Sequence, residues 1–143
     1  INNIKNVTVY NYLLGKECSK EVKFYEKNSP SGLNSIIQIE GKGNFNSSEL
    51  EQVSLDIFCK RFKLMPDLIK IDVEGMEFDV LKGGINIIKK CKPTIFLSFH
   101  KRYLEQIGIN EEIFLKFIES IDYCSNVKLN KDSNTEIILK PKN

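Results

Sequence analysis

No apolar run in this sequence approaches the roughly 20 residues that cross a membrane, and no charged-then-apolar leader opens it. A cytoplasmic protein without a membrane partner is therefore expected. The four cysteines, Cys18, Cys59, Cys91 and Cys124, contain no C-x-x-C pair. Their wide spacing argues against a zinc site or a disulfide framework, and for reduced, mostly buried thiols. There is no Arg-rich stripe. The basic residues are nearly all Lys, spread along the chain, and the formal net charge is only +2. Charge-driven binding to nucleic acid is thus not expected. The sequence also lacks G-x-G-x-x-G, and Gly41-Lys42-Gly43 is a loop pair with no strand before it. Histidine occurs once, so any imidazole chemistry must pass through His100.

What remains is ordinary in composition and specific in pattern. A length of 143 residues fits one domain, and 41% hydrophobic with 28% charged residues fits a soluble globular one. The most informative stretch is Leu68-Ile69-Lys70-Ile71-Asp72-Val73-Glu74-Gly75. Ile69, Ile71 and Val73 alternate with Leu68, Lys70 and Asp72, which predicts a strand over 68–73. After Gly75 the period changes. Phe78, Leu81, Ile85 and Ile88 fall at helical spacing and predict a helix over 77–90, stopped by Pro93.

Around this centre the signals are shorter. Residues 7–10 read as a strand, with a turn at Gly15-Lys16. Val22 and Phe24 suggest a second strand, and Ile36, Ile37 and Ile39 a weak third. Residues 28–35 carry every turn signal, and 41–48 read as a turning, Gly/Asn/Ser-rich stretch. Val53 starts an extended piece. Asp56 is placed to cap a helix through Phe62 with Ile57, Phe58 and Phe62 inward. Residues 94–99 predict a strand parallel to 68–73, because a helix of that length separates the two. A helix over 111–121 and an antiparallel strand pair at 123–129 and 136–139 close the chain.

Asp72 and Glu74 end one predicted strand; Ser98 and His100 end the next. In open α/β sheets ligands bind at the carboxyl ends of strands. A carboxylate beside an imidazole is the minimum for general-base work near neutral pH. The same group suits a divalent metal. Equally, Glu74 or Glu77 at a helix start fits a cap, and His100 a purely structural hydrogen bond.

The run IKIDVEGMEFDVLKGG closely resembles the signature of the FkbM family of S-adenosylmethionine-dependent methyltransferases. Val53-Ser54-Leu55-Asp56 upstream, Lys92-Pro93-Thr94-Ile95 downstream, and Asn6–Asn11 followed by Leu14-Gly15 are similar to that family too. The resemblance implies an α/β, class I methyltransferase-like (Rossmann-like) sheet, ordered 3-2-1-4-5-7-6 and ending in an antiparallel hairpin. It implies S-adenosylmethionine as cofactor and O-methylation of a sugar or small-molecule hydroxyl. Asp72 would lie beside the methionine end of the cofactor, Leu13 and Leu14 near the adenine, and Glu74 and His100 would face the acceptor as catalytic residues, with no metal assigned. Many members carry an acidic residue where this chain has Ser98.

The family's Gly-rich turn and its ribose-binding acid have no counterpart here. The expectation is thus one domain over 1–143, with 17–52 an irregular or hairpin insertion, lacking the first two strands and the cofactor half. The strand at 68–73 would then have a bare edge. That edge offers a rival to the enzyme reading: a non-catalytic module that pairs through it, as a homo-oligomer or with a partner.

Overall fold

The computed structural model describes residues 5–27, 45–125 and 135–142. The first strand, β1 (Leu13–Gly15), starts later than the one expected at 7–10. Val7 and Val9 are 66% and 87% exposed, so their apolar spacing buries nothing that would hold a strand. β2 (Ser19–Lys27) pairs antiparallel with β3 (Phe45–Ser54), and β1 lies parallel along the other side of β3. Residues 45–48, read above as turning, are therefore the start of β3. The expected loop at 28–35, the weak strand around Ile36, Ile37 and Ile39, and residues 41–44 lie outside the described residues.

Helix α1 (Leu55–Phe62) is capped by Ser54, whose hydroxyl accepts from the Ile57 N–H at 3.3 Å. Asp56 is not that cap. Its carboxylate reaches across to accept from the N–H groups of Asn86 (3.2 Å) and Ile87 (2.7 Å), in the first turn of another helix. The inward residues of α1 are Leu55 and Cys59, while Ile57 is 39% exposed. Phe58 and Phe62 instead stack with Tyr10 and Tyr12.

Strand β4 (Leu68–Ile71) keeps its predicted alternation: Ile71 is buried and Leu68 is 58% exposed. The helix expected over 77–90 is two helices, α2 (Glu77–Gly83) and α3 (Ile85–Cys91), broken at Gly84. Close packing explains the break. A Cβ on Gly83 would stand 2.1 Å from the Gly15 carbonyl oxygen, and one on Gly84 would stand 2.6 Å from Leu55. The two glycines let β1 and α1 press against the helix pair, and Asp56 satisfies the free N–H groups that the break creates.

Strand β5 (Thr94–Phe99) runs parallel to β4, with Ile69 opposite Ile95 and Ile71 opposite Leu97. A short helix with no clear sequence signal, α4 (Lys101–Gln106), follows. Next comes α5 (Glu111–Ser120), where Asn110 accepts from the Ile113 N–H at 2.9 Å. β6 (Tyr123–Ser125) and β7 (Thr135–Pro141) pair antiparallel, and β7 also pairs with β5. The described residues thus form a mixed α/β fold with two sheets, β1-β3-β2 and β4-β5-β7-β6. The second sheet and its helices share one apolar core, in which Leu81, Ile88, Leu97, Phe114 and Leu139 are fully buried.

Of the cysteines only Cys59 is buried; Cys18 and Cys124 are exposed, which corrects the expectation of mostly buried thiols. On β6 the alternation turns Tyr123 inward and Cys124 outward. The Tyr123 hydroxyl donates to the Pro93 carbonyl at 2.9 Å, and burial pushes the phenol up to about 12. No helix among the described residues is long and apolar enough to cross a membrane.

Gly83→Ala should lower stability by about 1–3 kcal/mol, the usual cost of overpacking. A lower urea midpoint with an unchanged slope would show it; an unchanged midpoint would mean that β1 does not press on α2.

Candidate functional site

The site forms where β4 and β5 end side by side. Parallel pairing in register brings the residues after Ile71 next to those after Leu97. Beyond β4 the chain makes a tight turn into α2. Glu74 and Gly75 both take left-handed backbone angles, φ 49° and 102°. Glycine adopts this without penalty, but a glutamate there is strained by about 1–3 kcal/mol. The turn tucks the first residue of α2, Glu77, under the backbone, where it is 0% exposed.

Glu77 is the hinge of the site. Its Oε1 accepts from the Gly75 N–H at 3.0 Å and lies 2.7 Å from His100 Nδ1. A carboxylate only accepts, so Nδ1 carries the proton and donates. The other oxygen, Oε2, is buried with no hydrogen-bond partner among the described residues. Such an oxygen costs about 1–3 kcal/mol, so the arrangement is not one that packing alone would choose. α2 has no side-chain cap, which removes the reading of Glu77 as its N-cap.

With Nδ1 held, His100 turns Nε2 toward the rim. Asp72 Oδ1 lies 3.7 Å away and Glu74 Oε1 3.6 Å away. The His100 side chain is 6% exposed, whereas that of Asp72 is 52% exposed and that of Glu74 25%. The Glu77 hydrogen bond, supported by the charges of Glu77, Glu74 and Asp72, raises the pKa of His100 above its ordinary value against the opposing effect of burial.

Ser98 joins a neighbouring network instead. Its hydroxyl donates to Glu136 at 2.6 Å and accepts from Lys70, which pairs with Glu136 at 2.9 Å and approaches Asp72 at 3.9 Å. These two hydrogen bonds, Ser98 first, hold Glu136 below its usual value. Of the residues singled out from sequence, the structure brings Asp72, Glu74 and His100 together. Leu13 and Leu14 lie on β1 in the other sheet, half-buried, with Leu14 against the core. Glu77 was legible only as a cap, and Lys70 and Glu136 carried no signal, because their partners are 28 and 38 or more residues distant.

A family model, the methyltransferase FkbM domain, matches residues 2–132. The chain belongs to the FkbM methyltransferase family. No curated protein matches it significantly. Among solved structures, the crystal structure of methyltransferase FkbM from Methylobacillus flagellatus KT is similar, with a TM-score of 0.55 and 18% identity. The likeness covers 93% of this chain and 28% of that one, so this chain spans under a third of that protein's length. At such identity the likeness speaks for the fold, and the family assignment rests on the domain match. An FkbM methyltransferase domain implies a methyl donor.

The sole imidazole of this FkbM domain can be followed through its own proton resonances. In the wild-type chain it should titrate above the ordinary value of about 6.5, and in Glu77→Gln its midpoint should fall. The sign for stability follows. A raised folded pKa stabilises the fold fully below the unfolded value, and that contribution is lost as pH rises through the folded one. Glu77→Gln should flatten this dependence. An unmoved midpoint would show that Glu77 does not hold the ring.

Proposed function

We propose that this chain is the C-terminal part of an S-adenosylmethionine-dependent O-methyltransferase acting on a hydroxyl of a sugar or small natural product. The single observation that carries the reading is the buried Glu77–His100 pair with Nε2 facing Glu74 and Asp72 at the ends of two parallel strands. The family match supports the methyl-transfer part. The sheet order β4-β5-β7-β6, with β4 pairing on one side only among the described residues, supports this reading by agreeing with the 4-5-7-6 end of the order that the family resemblance implies. The short coverage of the FkbM structure agrees with a chain that supplies part of the domain.

The residues present fit one end of the donor. A half-exposed Asp72 carboxylate suits its cationic methionine end, and Leu13 and Leu14 offer apolar surface to the adenine. Gly-rich backbone for the remaining contacts would come from outside this sequence. When bound, S-adenosylmethionine supplies a methyl group on a sulfonium. The chain's own part is positioning and proton removal. Glu74 and His100 face the acceptor hydroxyl, whose proton passes to His100 Nε2 while Glu74 orients the hydroxyl. Glu77 keeps the ring turned toward that hydroxyl and stabilises the imidazolium that results, as an orienting acid does in a triad. The left-handed Glu74 holds its carboxylate beside the ring.

A second reading uses the side of β4 that has no neighbouring strand among the described residues. Leu68, 58% exposed on that strand, is compatible with pairing to a second copy or to another protein. A concentration-dependent dimer in sedimentation, abolished by a charge or proline on β4, would favour it.

The first reading is tested by calorimetry with S-adenosylhomocysteine. The chain extended by its upstream coding sequence should bind in the micromolar range, roughly −8 kcal/mol, and the 143-residue chain weakly or not at all. In the extended protein, His100→Gln should lower methyl transfer by about 10²–10⁴ while donor affinity is kept. Failure of both forms to bind would remove the donor from the reading, and unchanged transfer would return His100 to a structural role.

A further inference from the structure

We propose that Asp72, Glu74 and His100 form a binding site for one divalent metal cation. This goes beyond methyl transfer and does not depend on it. The three residues each present one ligand atom, and those atoms lie within 4.8 Å of one another. One imidazole nitrogen with two carboxylate oxygens is a mixed donor set suited to a first-row ion such as Mn²⁺ or Zn²⁺.

Two observations separate this from a chance acidic patch. The first is the spacing. Nε2 stands 3.6 Å from Glu74 and 3.7 Å from Asp72. A charged hydrogen bond would close to about 2.7–2.9 Å. Ligands each held about 2.1 Å from one ion, at angles of roughly 90–120°, stand about 3.0–3.6 Å apart. Nε2 thus stands outside hydrogen-bond range and near ligand–ligand spacing from both carboxylates, and a small inward movement of the half-exposed Asp72 side chain would bring all three atoms, now within 4.8 Å of one another, onto one ion. The second is the backing of the ring. His100 is 95% buried in the sense that only 5% of it is exposed, and its Nδ1–H is given to the buried Glu77 at 2.7 Å. That bond fixes the tautomer whose free lone pair, on Nε2, points at the two carboxylates. A carboxylate behind a metal-binding histidine does the same elsewhere, and raises its basicity.

A cation here gives the rim a chemistry that the bare residues lack. With a cation bound, Nε2 would be a ligand, and the proton-removal role proposed above for His100 would belong to the metal-free site. An acceptor hydroxyl reaching the open face of the ion would be held and acidified there. Acceptors with a second oxygen next to the hydroxyl would profit most, since they close a chelate.

The test uses Mn²⁺ and the whole chain, with no donor or acceptor present. Mn²⁺ avoids the exposed thiols of Cys18 and Cys124, which would take up Zn²⁺. Because His100 is the only histidine, paramagnetic broadening of its imidazole resonances reports the site directly. Substoichiometric Mn²⁺ should erase those resonances first, and electron paramagnetic resonance should count one bound ion. Asp72→Asn, at a half-exposed position that folding tolerates, should weaken binding about tenfold or more. Intact His100 resonances at millimolar Mn²⁺, or equal binding by Asp72→Asn, would overturn the site. Because no methyl donor is present, either result is independent of the methyltransferase reading, and loss of donor binding would leave the cation site standing.

Discussion

The buried hydrogen bond between Glu77 and His100 is the constraint on which the rest of the site depends. It links the first residue of α2 to the residue that opens α4, and so ties together the two turns that follow β4 and β5. The geometry before α2 follows from it. Glu77 can lie under the Gly75 N–H only if the chain doubles back, and that requires two successive left-handed residues. Gly75 adopts this readily. Glu74 does not, and the strained turn leaves its carboxylate 3.6 Å from the imidazole.

Charge around this bond is arranged in two groups that meet at Lys70. On one side are His100 and the carboxylates of Asp72, Glu74 and Glu77. On the other, Lys70 bridges Asp72, Ser98 and Glu136. Lys70 thus offsets negative charge on both, and Ser98 relays between Lys70 and Glu136 where an acid would add to the repulsion. The partly exposed members of these groups contribute little to stability individually. Their effect is to fix where the rim's oxygens stand.

The two sheets are joined by a different kind of constraint, steric rather than electrostatic. Gly83 admits the Gly15 carbonyl and Gly84 admits Leu55, so the LKGG end of the motif is where β1 and α1 dock. Asp56 then closes the interruption by accepting from the start of α3. A motif that looks like one functional signature is therefore two devices in sequence. Its acidic half builds the rim, and its glycine half builds the joint that carries Leu13 and Leu14.

Period and turn chemistry were enough to find β4 and β5, their parallel relation, α5 and the antiparallel close, because each rests on local alternation or capping. The strand ends bearing Asp72, Glu74 and His100 were legible for the same reason: a strand followed by a helix puts its last residues on the ligand side. Local signals failed where a distant partner decided the outcome. Residues 7–10 alternate but meet no strand, and the helix through Gly84 breaks because Leu55 needs the space. Asp56 caps a helix 30 residues away instead of its own. Glu77 looked like any acid at a helix start; only the fold, by bringing position 100 within 2.7 Å of it, made it the residue that orients the sole histidine. The sequence by itself therefore determined which chemical groups stand at the ends of the strands, since that depends on neighbours in the chain. Tertiary structure alone decided which of them touch, since a buried hydrogen bond between residues 23 apart is set by the packing of two whole βα units.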